Sequence, residues 1–108
     1  MIYHFIPMER WKEVKDQDYY RTESLDEEGF IHCSKKNQIT EVADFKFGDE
    51  EKLMILKIDE EKLEPEIKYE GEKDNKFPHI YGKLNMEAVK DTKIMENSEK
   101  GYNLPKGV

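Results

Sequence analysis

Cysteine and long apolar runs are scarce in this sequence, and each scarcity excludes a class of protein. The chain has one cysteine, Cys33, so it cannot form an internal disulfide framework. No apolar stretch approaches the roughly 20 residues that a membrane-spanning helix requires. The N-terminus enters Ile2-Tyr3-His4 without the charged region and apolar run of a secretory signal. We therefore expect a cytoplasmic protein with no membrane partner.

Arginine and the standard nucleotide and metal motifs are also scarce or missing. The only arginines are Arg10 and Arg21, and acidic residues outnumber basic ones by 25 to 18, which gives a net charge of -7. An acidic surface repels a phosphate backbone, so nucleic-acid binding is disfavoured. Neither GxGxxG, GxxxxGK, HExxH nor a CxxC pair occurs.

The apolar residues cluster into short segments that predict one domain. A chain of 108 residues has the length of one core. We expect a single α+β domain over residues 1–96, followed by a polar C-terminal tail over residues 97–108 that is partly docked. The expected elements are strands at residues 1–6, 30–33, 53–58, 67–70 and 89–95, and helices at residues 8–15 and 35–45, the second capped by Ser34.

The order of these elements predicts the fold class. Strands and helices interleave irregularly, which favours a mixed, split or strongly curved sheet with two or three peripheral helices. The segment Phe77–Gly82 carries an internal proline and ends at a glycine, so it is expected to be an aromatic loop between strands.

All three histidines fall in the aromatic-rich segments of a highly charged chain. They are His4 in Tyr3-His4-Phe5, His32 in Phe30-Ile31-His32-Cys33-Ser34, and His79 in Phe77-Pro78-His79-Ile80-Tyr81. A buried imidazole tends to stay neutral, with one donor and one acceptor nitrogen, and so suits ligand hydrogen bonding. The alternative is that each histidine satisfies a backbone group at the margin of the core. We predict a shared cleft lined by the three histidines.

Alternation along a strand separates the neighbours of His32. Phe30, His32 and Ser34 should share one face, with Cys33 on the other. Cys33 is therefore expected to be a small buried apolar residue, and as a nucleophile it would need His4 or His79 as its base. Among the carboxylates, Glu70 stands out because it ends a strand just before the segment that contains His79.

Several runs together resemble a known family. Over Ile2 to about Leu104 the chain resembles the small bacterial domain-of-unknown-function family nine-five-two, some members of which carry a glutathione S-transferase label. That family resembles, more distantly, the ADP-ribosyltransferase fold of the RNA 2'-phosphotransferase and the poly-ADP-ribose polymerase catalytic domain, in which a split sheet holds NAD. The runs that carry the resemblance are Ile2-Tyr3-His4, Glu28–Ser34 (EGFIHCS), Ile58-Asp59, Tyr69-Glu70 and Phe77–Gly82 (FPHIYG).

The resemblance implies roles for the candidate site residues. His4 would hold the nicotinamide-side ribose of NAD, with His32 on the following strand of the cleft. Tyr81 or Tyr69 would stack on nicotinamide, and Glu70 would stabilise positive charge as nicotinamide departs. The candidate catalytic residues are thus His32 and Glu70, and the candidate ligand-binding residues are His4, His79, Tyr81, Ser34 and Tyr69, with no metal ligands assigned.

Three functions remain open at the level of sequence. The first is an ADP-ribosyltransferase-like domain that binds NAD or a related nucleotide as a substrate and transfers or hydrolyses ADP-ribose. The second is a metal-binding protein or metal-dependent enzyme that uses the three histidines with Glu70, although no pair lies at helical or finger spacing. The third is a noncatalytic module that binds a small molecule or peptide.

Overall fold

Short antiparallel strands form most of the secondary structure in the computed structural model, which describes residues 1–108. Three short 3₁₀ turns lie at Lys36–Gln38, Glu60–Lys62 and Met86–Ala88. The strands are β1 (Ile2–Pro7), β2 (Tyr19–Tyr20), β3 (Ile31–His32), β4 (Lys52–Ile58), β5 (Glu66–Glu72), β6 (Asn75–Tyr81), β7 (Leu84–Asn85), β8 (Val89–Ser98) and β9 (Gly101–Tyr102), and the helices are α1 (Met8–Val14), α2 (Glu23–Glu28) and α3 (Ile39–Lys46).

The strands form two main sheets joined at one point. One sheet has the order β1-β4-β8-β9 and the other β3-β6-β5, while β2 and β7 form a separate pair. Tyr3 and Ser34 link the two sheets by exchanging backbone hydrogen bonds of 2.9 and 2.7 Å. The result is an α+β domain with a curled antiparallel half-barrel and few helices, which confirms the expected fold class and the strongly curved sheet.

Two details of the predicted fold are wrong, one in the sheet and one at the start of a helix. All strand pairs are antiparallel, so the sheet is not mixed in strand direction. Tight turns join β5 to β6 and β8 to β9, and such turns serve only antiparallel neighbours. Ser34 does not cap the following helix, because its backbone is engaged with Tyr3 and the 3₁₀ turn begins after Lys35.

Alternation along β1 divides the core into two clusters. Ile2 and Ile6 face one cluster, Tyr3 and Phe5 face the other, and His4 lies on the side of Ile2 and Ile6. A helix covers each side of this sheet. Val14 of α1 packs in the first cluster, and buried residues of α3 pack in the second. Full burial of each large aliphatic side chain contributes about 1.5–3 kcal/mol.

Gly29 turns the chain from α2 into β3. Its φ of 90° is left-handed, and its N–H donates to the carbonyls of Leu25 and Ser24 at the end of the helix. This tight stop places Glu28, the last residue of α2, close to the histidine of β3. The glycine therefore contributes directly to the geometry of the site.

The aromatic segment that we expected to be a loop is the central strand β6. Pro78 lies inside it, which is unusual because proline cannot donate to a ladder. Its carbonyl accepts from the N–H of Cys33 at 3.1 Å, just beyond the two-residue strand β3. The missing N–H thus removes one bond at the end of a short strand, and pairing with β5 continues through Tyr69.

The C-terminal segment is held against the fold at Tyr102, and Val108 also packs against the second core cluster. β8 runs to Ser98, past residue 96 where the domain was expected to end. Tyr102 is buried, and its hydroxyl donates to the carbonyls of Phe47 and Glu50 at 2.7 and 2.8 Å. Leu104 is exposed and does not take part in this docking.

No helix of this fold could cross a membrane, since the longest, α3, has only eight residues.

Candidate functional site

One cavity collects the three histidines from three different strands. It has a volume of about 670 Å³, and β1, β3 and β6 contribute His4, His32 and His79 to its wall. Ligand pockets commonly enclose about 300–1,000 Å³, so this cavity can hold a small molecule. The other residues that line it are Phe5, Pro7, Tyr20, Thr22, Glu23, Ser24, Cys33, Ser34, Glu41, Val42, Phe45, Lys46, Phe47, Glu70, Gly71 and Phe77.

His4 has a fixed tautomer and a free acceptor. Its Nδ1 lies 2.7 Å from the carbonyl oxygen of His32, and because a carbonyl only accepts, Nδ1 carries the hydrogen. Burial lowers the pKa of His4 to about 4, an effect that the bond to His32 partly offsets. The ring is therefore neutral near pH 7, and Nε2 is a bare acceptor. This nitrogen is buried and has no partner in the protein.

His79 is held by a carboxylate and a stacked ring. Its Nδ1 donates to Oε1 of Glu70 at 2.9 Å, and the hydroxyl of Tyr81 donates to the same oxygen. These two hydrogen bonds hold the pKa of Glu70 below its ordinary value, so the carboxylate stays ionised. The same contact raises the pKa of Tyr81 to about 12 and keeps it a donor. Nε2 of His79 makes no hydrogen bond within the protein.

His32 has its own carboxylate on the neighbouring helix. Its Nε2 lies 2.8 Å from Oε2 of Glu28, and this hydrogen bond lowers the pKa of that carboxyl group. The two side chains are partly exposed, at 36% and 48% of their surface. His32 is thus anchored at the rim of the cavity, with only its Nδ1 free of protein partners.

Phe30 packs against the rings of His32, His79 and Tyr81. Its ring stacks on His79 with centroids 4.0 Å apart and planes inclined by 18°, and it meets His32 at 4.9 Å and Tyr81 at 5.4 Å. Such aromatic contacts contribute about 0.5–1.5 kcal/mol beyond the buried area. Phe30 therefore fixes the planes of two site imidazoles.

The remaining predicted residues lie in different places. Ser34 is buried and lines the cavity, while Tyr81 reaches it only through Glu70. Tyr69 is separate from the cavity, because neighbours in β5 face opposite sides and its hydroxyl donates to Glu60 at 2.6 Å. Burial, followed by that carboxylate, raises the pKa of Tyr69 to about 12.

Cys33 belongs to the apolar core. It is 5% exposed, and burial raises the pKa of its thiol far above the ordinary value. A thiol needs to ionise to act as a nucleophile, so this environment suits packing rather than catalysis.

The charges around the cavity favour a ligand with a cationic part. Three carboxylates, Glu23, Glu41 and Glu70, line it together with one lysine, Lys46. No group of three or more histidine, cysteine, aspartate or glutamate side chains is arranged to hold a metal ion. The imidazoles are spaced along the wall, with the rings of His32 and His79 5.5 Å apart.

Sequence reasoning missed several contributors to the site. Glu28 was one of 25 carboxylates, and only its position four residues before His32 could have singled it out. Phe45 and Lys46 come from α3, whose approach to the cavity depends on tertiary packing.

An α+β domain whose curled antiparallel half-barrel carries a histidine-lined cavity is the class that the fold and the site define. Residues 5–92 match the family described as Protein of unknown function (DUF952), and the chain belongs to that family. This confirms the family resemblance carried by the histidine-containing runs. No curated protein matches the chain.

The chain is similar to solved structures of protein CC0527 from Caulobacter crescentus. Its crystal structure is 26% identical with a TM-score of 0.81, over 93% of this chain and 90% of that chain. A crystal structure of a double mutant of CC0527 is 25% identical with the same TM-score and coverage. The solution NMR structure of CC0527 is 26% identical with a TM-score of 0.77, over 94% of this chain and 89% of that chain.

Proposed function

We propose that the cavity binds NAD or a related nucleotide and that the protein transfers or hydrolyses ADP-ribose. The observation that carries this proposal is Nε2 of His4, a buried acceptor without a donor. Leaving such a group unpaired costs about 1–3 kcal/mol, which a bound donor would recover. Ribose hydroxyls and the nicotinamide carboxamide are donors of this kind, whereas a phosphate or carboxylate oxygen is not.

The spacing of the imidazoles supports an extended ligand. The side-chain nitrogens of His4, His32 and His79 are anchored individually, to a carbonyl, to Glu28 and to Glu70. A metal ion would need ligands converging on one point, whereas spaced groups along a cavity suit a molecule with several polar groups. The split, curled sheet is also the arrangement expected of an ADP-ribosyltransferase-like fold, which we propose for this chain as an analogy of form.

The charges support a substrate that develops positive charge. Departure of nicotinamide leaves an electron-deficient ribose carbon, and a nearby carboxylate such as Glu70 would stabilise it. Lys46 is the basic side chain available to a diphosphate. With three carboxylates in the wall, we expect NAD affinity to be modest.

Paired substitutions of His4 test the proposal. The amide of His4→Asn can still donate to the His32 carbonyl but has no atom at the place of Nε2, whereas His4→Gln places a polar atom near Nε2 and gives up the Nδ1 contact. We expect NAD or ADP-ribose to raise the melting temperature of the wild type and of His4→Gln more than that of His4→Asn. At 100 times Kd the stabilisation is about 2.7 kcal/mol.

The same titration separates the other functions. A thermal shift with zinc alone would favour the metal-binding alternative, and silence from NAD, ADP-ribose and zinc would favour a noncatalytic module with another ligand. Equal NAD responses in the wild type and His4→Asn would contradict the role of Nε2.

A further inference from the structure

The environment of His79 is unlike that of the other two histidines. Its ring stacks on Phe30 with centroids 4.0 Å apart, and its Nδ1–H donates a hydrogen bond to Glu70. Glu70 is itself fixed by the hydroxyl of Tyr81. The side chain of His79 is 14% exposed, so it is shielded without being sealed off.

This arrangement has the features of an oriented proton acceptor. A carboxylate that accepts from one imidazole nitrogen sets the tautomer, so the opposite nitrogen carries the lone pair. It also stabilises the imidazolium that forms when that nitrogen takes a proton. We infer that His79 is the general base of this cavity and that Glu70 and Tyr81 are positioning residues that act through it. The inference rests on the proposed function and assigns its proton transfer.

The other two histidines fit this task less well. His4 is buried, and because its pKa is about 4 it resists taking up a proton near neutral pH. His32 and its partner Glu28 are both more exposed than His79. Sequence reasoning assigned catalysis to His32 and Glu70, whereas the geometry gives the proton to His79 and makes Glu70, besides the effect of its charge on the ribose, the group that orients His79.

The reaction step balances with water as the co-reactant. A water oxygen attacks the anomeric carbon of the nicotinamide ribose, and a carbon–oxygen bond forms as the carbon–nitrogen bond breaks. The electron pair of the broken bond leaves with nicotinamide, which becomes neutral. The water gives one proton to Nε2 of His79, and the imidazolium later releases it to solvent. The products are ADP-ribose, nicotinamide and a proton.

Charged groups on three elements surround His79. Glu70 and Lys68 lie on β5, with Lys68 directly opposite His79 in the register. His32 lies opposite it on β3, and Glu28 approaches from α2. Any pH profile must therefore be compared between variants and not assigned to His79 from the wild type alone.

Nicotinamide release from NAD, measured as a function of pH, tests the inference. General-base catalysis contributes about 10²–10⁴-fold, so we expect His79→Gln to lower kcat by that order while Kd for NAD changes less than about threefold. Glu70→Gln should retain part of the rate and move the acidic limb of the profile to lower pH, because the imidazolium loses its anionic partner. Tyr81→Phe should lower the rate less than Glu70→Gln does. It should not move the acidic limb to lower pH, because the Glu70 carboxylate keeps its charge and no longer shares it with the hydroxyl.

A second tyrosine–glutamate pair supplies the control. Tyr19 donates to Glu64 at 3.0 Å outside the cavity, so Tyr19→Phe and Glu64→Gln should leave the rate and its pH profile unchanged. Circular dichroism melts of all variants show whether each one folds. Nitrogen-15 NMR of the substrate-free protein gives a readout without turnover: the Nδ1–H of His79 should be present in the wild type and perturbed in Glu70→Gln.

The outcomes distinguish the two proposals. If wild-type protein fails to bind NAD, the proposed function falls, and this role in NAD cleavage falls with it. If it binds NAD but releases no nicotinamide, or if folded His79→Gln turns over at the wild-type rate, binding stands and the general base is overturned. An Nδ1 of His79 that carries no hydrogen would overturn the assigned tautomer.

Discussion

His32 and His79 lie directly opposite each other across the pair β3–β6, with ring centroids 5.5 Å apart and planes inclined by 79°. This register is what gathers two histidines that are distant in sequence. Because side chains alternate along a strand, a slip of one residue would move one of them to the other face of the sheet. The candidate site thus depends on strand pairing as much as on residue identity.

Acid should destabilise the folded protein through His4. Its pKa is about 4 in the folded state against an ordinary 6.5, so between these values the unfolded chain binds a proton that the folded chain refuses. The free energy of unfolding should therefore fall as pH decreases, by about 2 kcal/mol at pH 5 and about 3 kcal/mol near pH 4. Urea denaturation between pH 7 and pH 5 measures this loss.

His4→Asn is the control for that pH dependence. It removes the titrating ring and retains a donor for the His32 carbonyl, so its stability should change much less over the same interval. The pKa values of Glu28 and Glu70 are lowered in the folded state. These carboxyl groups therefore stabilise the fold at any pH above their unfolded-state pKa, and that stabilisation is lost only as the pH falls through their folded-state pKa in stronger acid. Parallel pH dependences in the wild type and His4→Asn would exclude His4 as the cause.

The thiol of Cys33 should be unreactive until the protein unfolds. It is buried in the apolar core, and that burial raises its pKa. We expect labelling by a thiol reagent to be at least about 100-fold slower in buffer than in denaturing urea, since modification requires the open state. Cys33→Ser should cost about 1–3 kcal/mol because it buries a hydroxyl group. Rapid labelling of folded protein would show that Cys33 is accessible.

Docking of the C-terminal segment should stabilise the whole fold. Tyr102→Phe removes one of the two donors of each carbonyl, because the Phe47 carbonyl keeps the Glu50 N–H and the Glu50 carbonyl keeps the Asn97 amide. We expect a loss of about 0.5–1.5 kcal/mol in urea denaturation. Tyr69→Phe is the matched control, because its hydroxyl bonds an exposed carboxylate and water can replace it. If both substitutions lower the free energy of unfolding by the same amount, the buried hydrogen bonds of Tyr102 stabilise the fold no more than the exposed one of Tyr69.

The sequence predicts most elements because their signals are local. A run of β-branched and aromatic residues before Pro7 indicates β1, and three-residue spacing of apolar residues after it indicates α1. The strand β6 was not predicted, because Pro78 and Gly82 ordinarily mark turns. A proline is tolerated in β6 only because the neighbouring strand β3 is short.

The site shows the same division between local and long-range information. Aromatic surroundings correctly indicate that His4 is withdrawn from water and that its pKa is lowered. The contact of Glu70 with His79, and the convergence of three histidines on one cavity, depend on the register of β5 and β6 and on the Tyr3–Ser34 link between the sheets. No residue pattern within one segment encodes these contacts.

Phe30 should hold the imidazole of His79 in its plane. The near-parallel stack at 4.0 Å places the imidazole protons over the face of the phenyl ring, where they are shielded. In Phe30→Leu we expect the His79 proton resonances to move downfield and the free energy of unfolding to fall by about 1 kcal/mol from the lost aromatic contacts. Phe45→Leu is the matched control, because Phe45 lies at the cavity with 86% of its surface exposed and makes no ring contact. Its substitution should leave the His79 resonances in place, and a Phe30→Leu spectrum as unchanged as that of Phe45→Leu would show that the stack does not position His79.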